Sequence, residues 1–95
     1  MLLLLMLADC ADKPDPEQQG AQMLCEARQL YAETRYDAAR DTILSLRRRF
    51  PMALDARRQA ILLMDSIELQ LAEGDSLKQE FFRRKLSFDI EKMRE

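Results

Sequence analysis

The sequence predicts an all-α fold of two helical hairpins. Three observations carry that expectation. Apolar residues recur at intervals of three and four along four separate stretches, which places them on one face of a helix. Only two glycines and six aromatic residues occur, against abundant Ala, Leu, Arg, Glu and Gln, a balance that favours helix over sheet. The breaks fall at Glu33-Thr34-Arg35, at Pro51 and at Gly74, which are turn-forming or helix-ending residues.

The first helix is expected to begin at Asp15-Pro16. Asp15 suits the N-cap, Pro16 the first helical turn, and Glu17 the positive end of the helix dipole. Met23, Leu24, Ala27, Leu30 and Tyr31 form its apolar face, Gly20 weakens its first turns, and it should end at Glu33 or Thr34. The second helix is expected from near Asp37, with Ala39, Ile43, Leu46 and Phe50 as its stripe, until Pro51 disfavours helical geometry at Phe50. The third should run from Ala53 to Glu73. Its stripe is Ala56, Ala60, Leu63, Met64, Ile67 and Leu71, while Leu62 and Leu69 lie off it. Gly74 fits a left-handed C-terminal residue, and Ser76 with Gln79 matches a capping box. The fourth helix is expected from Leu77 to Met93, with Leu77, Phe81, Phe82, Leu86, Ile90 and Met93 on its buried side. That pattern is still strong at Glu95, which fits either a fraying helix or a piece of a longer protein.

A chain of 95 residues makes at most one small domain with a thin core. It is 47% hydrophobic and 34% charged, too apolar for disorder and too charged for a polytopic membrane protein. There is no histidine, which removes His-based acid–base chemistry, Ser–His and Cys–His nucleophiles and most zinc sites. Cys10 and Cys25 are too few for a disulfide framework and lack metal-ligand spacing. No catalytic, cofactor-binding or metal-ligating constellation is expected, and no cofactor.

Residues 1–10 read MLLLLMLADC. The apolar run is far shorter than the roughly 20 residues a spanning helix needs. Ending at a cysteine, it resembles a bacterial lipoprotein signal, and the resemblance implies cleavage before Cys10 and lipid attachment to its thiol. Asp9 departs from that pattern, which has a small residue there, and no basic residue precedes the run. The alternatives are an uncleaved or other signal, or an ordinary apolar N-terminus that packs on the helices. Residues 11–19, ADKPDPEQQ, have two prolines and no apolar periodicity, as a polar tether would. The expected division is therefore a signal or anchor at 1–10, a tether at 11–19, one helix pair at 20–51 and a longer, coiled-coil-like pair at 52–95.

Ala27, Leu30, Tyr36, Ala39, Ile43, Leu46 and Pro51 give the first pair a further character. Ala27 and Ala39 stand twelve apart, as do Ala39 and Pro51, and Tyr36-Asp37-Ala38-Ala39 opens the second helix. In these residues the pair resembles a tetratricopeptide (TPR) repeat, in which small residues of the two helices face each other at close approach. The first helix lacks Trp, Ala27 replaces the commoner glycine, and Thr34 stands where glycine or asparagine is frequent. One period of 34 residues later the frame falls on Ile61, Glu73 and Lys85, so residues 53–95 do not repeat it. Cys10, a polar tether and a repeat ending in Phe50-Pro51 together resemble the outer-membrane assembly lipoproteins built from TPR units. Those carry several repeats, and their function is not carried over.

Three sets of residues are candidates for contact. Arg47, Arg48, Arg49, Arg57 and Arg58 flank the Pro51 turn and suit lipid headgroups or an acidic partner, or simply a solvated turn at a helix C-terminus. The acidic net charge of −2 and the single interleaved aromatic, Phe50, argue against nucleic acid. Leu62, Leu69, Phe82 and Phe88 fit no single bundle face and mark either extra core or an apolar interface. Cys25 reads as a packing residue or as a thiol activated by Arg28. Asp65 with Glu68, and Glu26 with Glu33, read as ordinary helical surface charges.

These features predict a non-enzymatic, membrane-tethered interaction or scaffold protein of a bacterial cell envelope, facing periplasm or exterior. Its partner would be another protein or a second copy. The alternative is a soluble, self-associating helical adaptor in the cytoplasm, without a lipid anchor.

Overall fold

A computed structural model describes residues 15–94. It is all-α, with α1 at Pro16–Ala32, α2 at Tyr36–Arg49, α3 at Leu54–Leu71 and α4 at Ser76–Arg94. The helices form two hairpins, α1–α2 and α3–α4. Among the described residues α3 packs against all three others, whereas α4 packs against α3 alone.

Local chemistry sets most of the helix ends. The Gln18 amide donates to Asp15 Oδ1 at 2.7 Å, the expected cap, with Pro16 at the first turn. At the other end of α1, Arg35 N donates to Leu30 O and Thr34 N to Tyr31 O, both at 2.9 Å. That pair of bonds closes a Schellman motif whose left-handed residue is Thr34, at φ 61°. The helix ends at Ala32 instead of one or two residues later, because Glu33 and Thr34 make this turn. Tyr31 and Tyr36 pack across it with ring centroids 5.4 Å apart. Phe50 leaves helical geometry before Pro51, as the proline requires. Gly74 takes φ 90° after α3.

One expected cap is corrected. Ser76 does not cap α4. The Lys78 amide donates to Asp75 Oδ1 at 3.1 Å, and Ser76 is already inside the helix. Gly74 turns the chain so that Asp75 arrives at the N-cap, where its carboxylate serves as well as a hydroxyl.

The core is thin and small-sided. Leu24, Ala27, Ala39, Ile43, Leu46, Ala53, Ala56, Ala60 and Ile67 are buried together, with Met23, Leu30, Tyr31, Tyr36, Phe50, Leu63 and Met64 packed around them. The stripes of the first two helices therefore face inward as their spacing predicts. Alanine prevails where helices meet, which permits close approach. The tightest approach is at Gly20, which is buried. A Cβ there would lie 2.6 Å from Ala53 Cβ and 3.2 Å from Ala56 Cβ. The sequence reading took Gly20 only as a weak helix former. In the fold it is the position at which α1 touches the start of α3.

The same junction solves a capping problem. Ala53 precedes α3 and has no side chain to cap it. Glu17 of α1 does so from outside, accepting from Asp55 N at 3.1 Å and Ala56 N at 2.8 Å. Two of the amides that a helix start leaves unpaired are thereby satisfied by one carboxylate at the positive end of the dipole. Arg28 adds a hydrogen bond to Gln59 at 2.9 Å, further along the same pair of helices.

The expectation for α4 is corrected too. None of its residues is buried. Phe82, Leu86 and Met93 are half-buried on its α3 side, but Leu77, Phe81 and Ile90 are exposed. The six had been assigned to one side, yet Leu77 and Phe81 lie nearly opposite Leu86 at 100° per residue. With α3 as its sole neighbour among the described residues, α4 covers only one stripe there.

Two substitutions test this packing. Gly20→Ala gains about 1 kcal/mol of helix propensity but overpacks a site where such insertions cost about 1–3 kcal/mol. The expected outcome is a net loss near 1 kcal/mol in urea unfolding followed by circular dichroism. Thr34→Gly relieves a β-branched residue of left-handed geometry, which costs about 1–2 kcal/mol. It should raise Tm by a few degrees.

Candidate functional site

The outer face of α4 is the most exposed apolar surface described. Leu77 is 84% exposed, Phe81 61% and Phe88 63%. Their spacing of four and seven places them in one line along the helix, with Arg84 at the intervening position. Phe81 meets Phe82 edge-on, with ring centroids 5.1 Å apart, so one aromatic pair spans the inner and outer sides. Glu80 is held by Arg83 at 2.8 Å and Arg84 at 2.9 Å beside this line, and that pairing keeps its pKa low, chiefly through the hydrogen bond from Arg84.

The four apolar residues singled out from the sequence do not come together. Phe88 lies on this outer line. Leu62 is half-buried in a cleft of about 300 Å³ with Arg28, Leu63, Ser66 and Met93. Phe82 is half-buried in a different cleft, and Leu69 is half-buried on α3. Leu77 and Phe81, which the sequence reading had put in the core, are the residues that join Phe88. The signal that could have found them is the 77–81–84–88 ladder.

The five arginines do gather at one end. Arg47, Arg57 and Arg58 line a depression of about 460 Å³ together with Leu54 and Ile61. Arg57 donates to Pro51 O at 2.8 Å and Arg58 to Met93 O at 3.3 Å, which ties the C-terminal end of α4 to the same region. Arg49 stacks over Phe50 at 5.3 Å, and Arg48 is exposed beside it. Among the described residues none of the five is in an ion pair.

A polar pin crosses from α3 to α4. It borders a cleft of about 480 Å³ lined by Arg40, Leu44 and Arg47 of α2, Ile61, Met64 and Glu68 of α3, and Phe82 of α4. Asp65, only 2% exposed, accepts from Lys85 Nζ at 2.7 Å, and Lys85 also bonds Asp89 at 2.9 Å. Arg40 pairs with Glu68 across the cleft at 3.2 Å. Asp65 is therefore not the surface charge expected from sequence. Burial, then hydrogen bonding with Asp89, pushes its carboxyl up to about 6 against the opposing pull of Lys85. Asp89 is held low by the same hydrogen bond and by Lys85, and Lys85 is raised by its two carboxylate partners. As an ionised group, Asp65 leaves Oδ2 buried without a hydrogen bond. A proton on it would donate towards Asp89, which is why the two carboxyls diverge.

The remaining candidates add little. Cys25 is exposed on α1. Glu33 is engaged by Gln29 at 3.4 Å and Arg35 at 3.9 Å, as a surface charge would be. Cys10 and the apolar run before it lie outside the described residues. Among the described residues there is no cluster of three or more His, Cys, Asp or Glu that could hold a metal, and no helix is long and apolar enough to cross a membrane.

The Asp65 pin has a measurable signature. Its carboxyl holds a proton more tightly when folded, so its contribution is complete below the ordinary value of 3.8 and is lost as pH rises through about 6. Relative to Asp65→Asn, the wild type should lose several degrees of Tm between pH 4 and pH 6.5. Parallel Tm curves for the two proteins would contradict this. In comparisons with known proteins, no family model, curated protein or solved structure matches the chain.

Proposed function

We propose that this chain is a non-enzymatic helical interaction protein tethered to a membrane of the bacterial cell envelope. One observation carries the interaction part. α4 packs on a single neighbour and turns Leu77, Phe81 and Phe88 outward, an apolar line of the kind that docks into a groove or against another helix. The tether part is supported by the sequence alone, through the apolar run ending at Cys10 and the polar, proline-containing stretch after it. A TPR-like character for α1–α2 draws support from the complete burial of Ala27 and Ala39 and from the left-handed turn at Thr34.

The same α4 line favours a second reading, a self-associating adaptor without a lipid. Leu77, Phe81, Arg84 and Phe88 follow the alternating four–three spacing of a helix-pairing seam.

Two measurements separate these readings. Metabolic labelling with a fatty-acid analogue should mark the wild type and not Cys10→Ala, and an unlabelled wild type would sink the lipoprotein assignment. In sedimentation equilibrium, a self-associating chain should weaken about tenfold with each of Phe81→Ser and Phe88→Ser while keeping its helix content. A wild type that stays monomeric across the micromolar range would remove the second reading.

A further inference from the structure

Building on the membrane-tethered reading, we propose that the α2–α3 end of the bundle is a docking face for an anionic lipid bilayer. Three independent placements converge there. The first is the position of the tether. Glu17 bonds Asp55 N and Ala56 N, and Gly20 abuts Ala53, so the N-terminus of α1 lies beside the N-terminus of α3. The first described residues, at the start of α1, therefore lie at this end of the bundle, and a tether through Cys10 would join it here.

The second placement is charge. Residues 47–58 hold five arginines and one acid, Asp55. The carboxylates described at this end are engaged, Glu91 of the nearby α4 C-terminus by Arg94 at 3.4 Å. Asp15 accepts from Gln18 N, Glu17 from the α3 amides, and Asp55 from Gln59 Nε2 at 3.0 Å. The arginines are in no ion pair among the described residues, so their charge is not cancelled locally. At the opposite end, the turns carry Glu33, Glu73 and Asp75 against Arg35 alone. The molecule is thus electrically polar along the helix axes, with its positive end at the tether.

The third placement is apolar. Met52 and Leu54 project from the α2–α3 turn, 69% and 63% exposed, between the two groups of arginines. Two exposed apolar side chains flanked in the chain by arginines, one of them lining the depression with Arg47, Arg57 and Arg58, match the interface of a bilayer, where acyl chains lie beneath phosphate. A soluble acidic partner would be met by the charges but has no need of the tips beside the tether. The tether also holds this face close to the membrane, so even weak headgroup contacts are made at high effective concentration.

The chain contains no tryptophan, which gives a clean probe. Met52→Trp and Leu54→Trp are introduced singly into the protein isolated from membranes with its lipid, with Leu77→Trp reporting the far end. Fluorescence is read with phosphatidylcholine vesicles bearing brominated acyl chains, with and without phosphatidylglycerol, while co-sedimentation reports binding. The expected result is a blue shift and quenching at positions 52 and 54, in phosphatidylglycerol vesicles only, with position 77 unchanged. Arg48→Glu/Arg49→Glu should weaken that quenching about tenfold with helix content retained. Binding to both vesicle types without quenching at 52 and 54 would overturn the docking face and leave the tether standing. Quenching that survives Leu3→Asp/Leu5→Asp/Cys10→Ala unchanged, in a chain with neither the apolar run nor the lipid, would overturn the tether and leave the docking face. Equal quenching in vesicles without phosphatidylglycerol, or no binding to either type, would overturn the proposal.

Discussion

The contact of the α1 N-terminus with the α3 N-terminus is the constraint on which the rest of the structure depends. It combines a missing side chain with a borrowed cap. Gly20 lets the α1 backbone come within reach of Ala53 and Ala56, and only at that distance does the Glu17 carboxylate reach the α3 amides. Each feature makes the other effective. A larger residue at position 20 would hold the helices apart, and an uncapped α3 would begin with unpaired amides at a part-buried site. Because α3 touches every other helix, its placement against α1 decides where α2 and α4 can go.

α4 is held by a different kind of interaction. Its inner side offers Phe82, Leu86 and Met93, none fully buried, and the polar pin through Asp65, Lys85 and Asp89 runs beside them. A buried carboxylate is a poor source of net stability, since desolvation offsets much of its attraction to the ammonium. Such a group sets the relative placement of α3 and α4, because a slip of either helix would leave Asp65 buried without its partner. The attachment of α4 thus rests on a seam that responds to pH, whereas the α1–α2–α3 core rests on packed alanines and aliphatic side chains.

This division has consequences for where recognition can occur. The inner three helices bury most of their apolar stripes against one another, and α3 gives a further part to α4. The surfaces left over are the outer line of α4 and the arginine-rich end near the α2–α3 turn, and they face different directions. One suits a helix or a groove, the other a flat anionic surface. A molecule tethered at its basic end would hold the start of α4, at Leu77, away from the membrane, where a partner has access.

Much of this was legible in the chain itself. The all-α class, the four helices, the Asp15 cap, the break at Phe50-Pro51 and the inward stripes of α1 and α2 follow from periodicity and local capping chemistry, which act over a few residues. The gathering of the arginines could be read from their position around one turn. The structure alone decided what depends on which helix lies beside which. Gly20 became a contact point, Glu17 a cap for a helix 38 residues away, and Asp65 a buried group, because each partner comes from a distant element. It also decided which side of α4 faces inward. That helix has apolar residues on both sides, so its periodicity admits either orientation, and only the single neighbour α3 selects Phe82, Leu86 and Met93 over Leu77, Phe81 and Phe88.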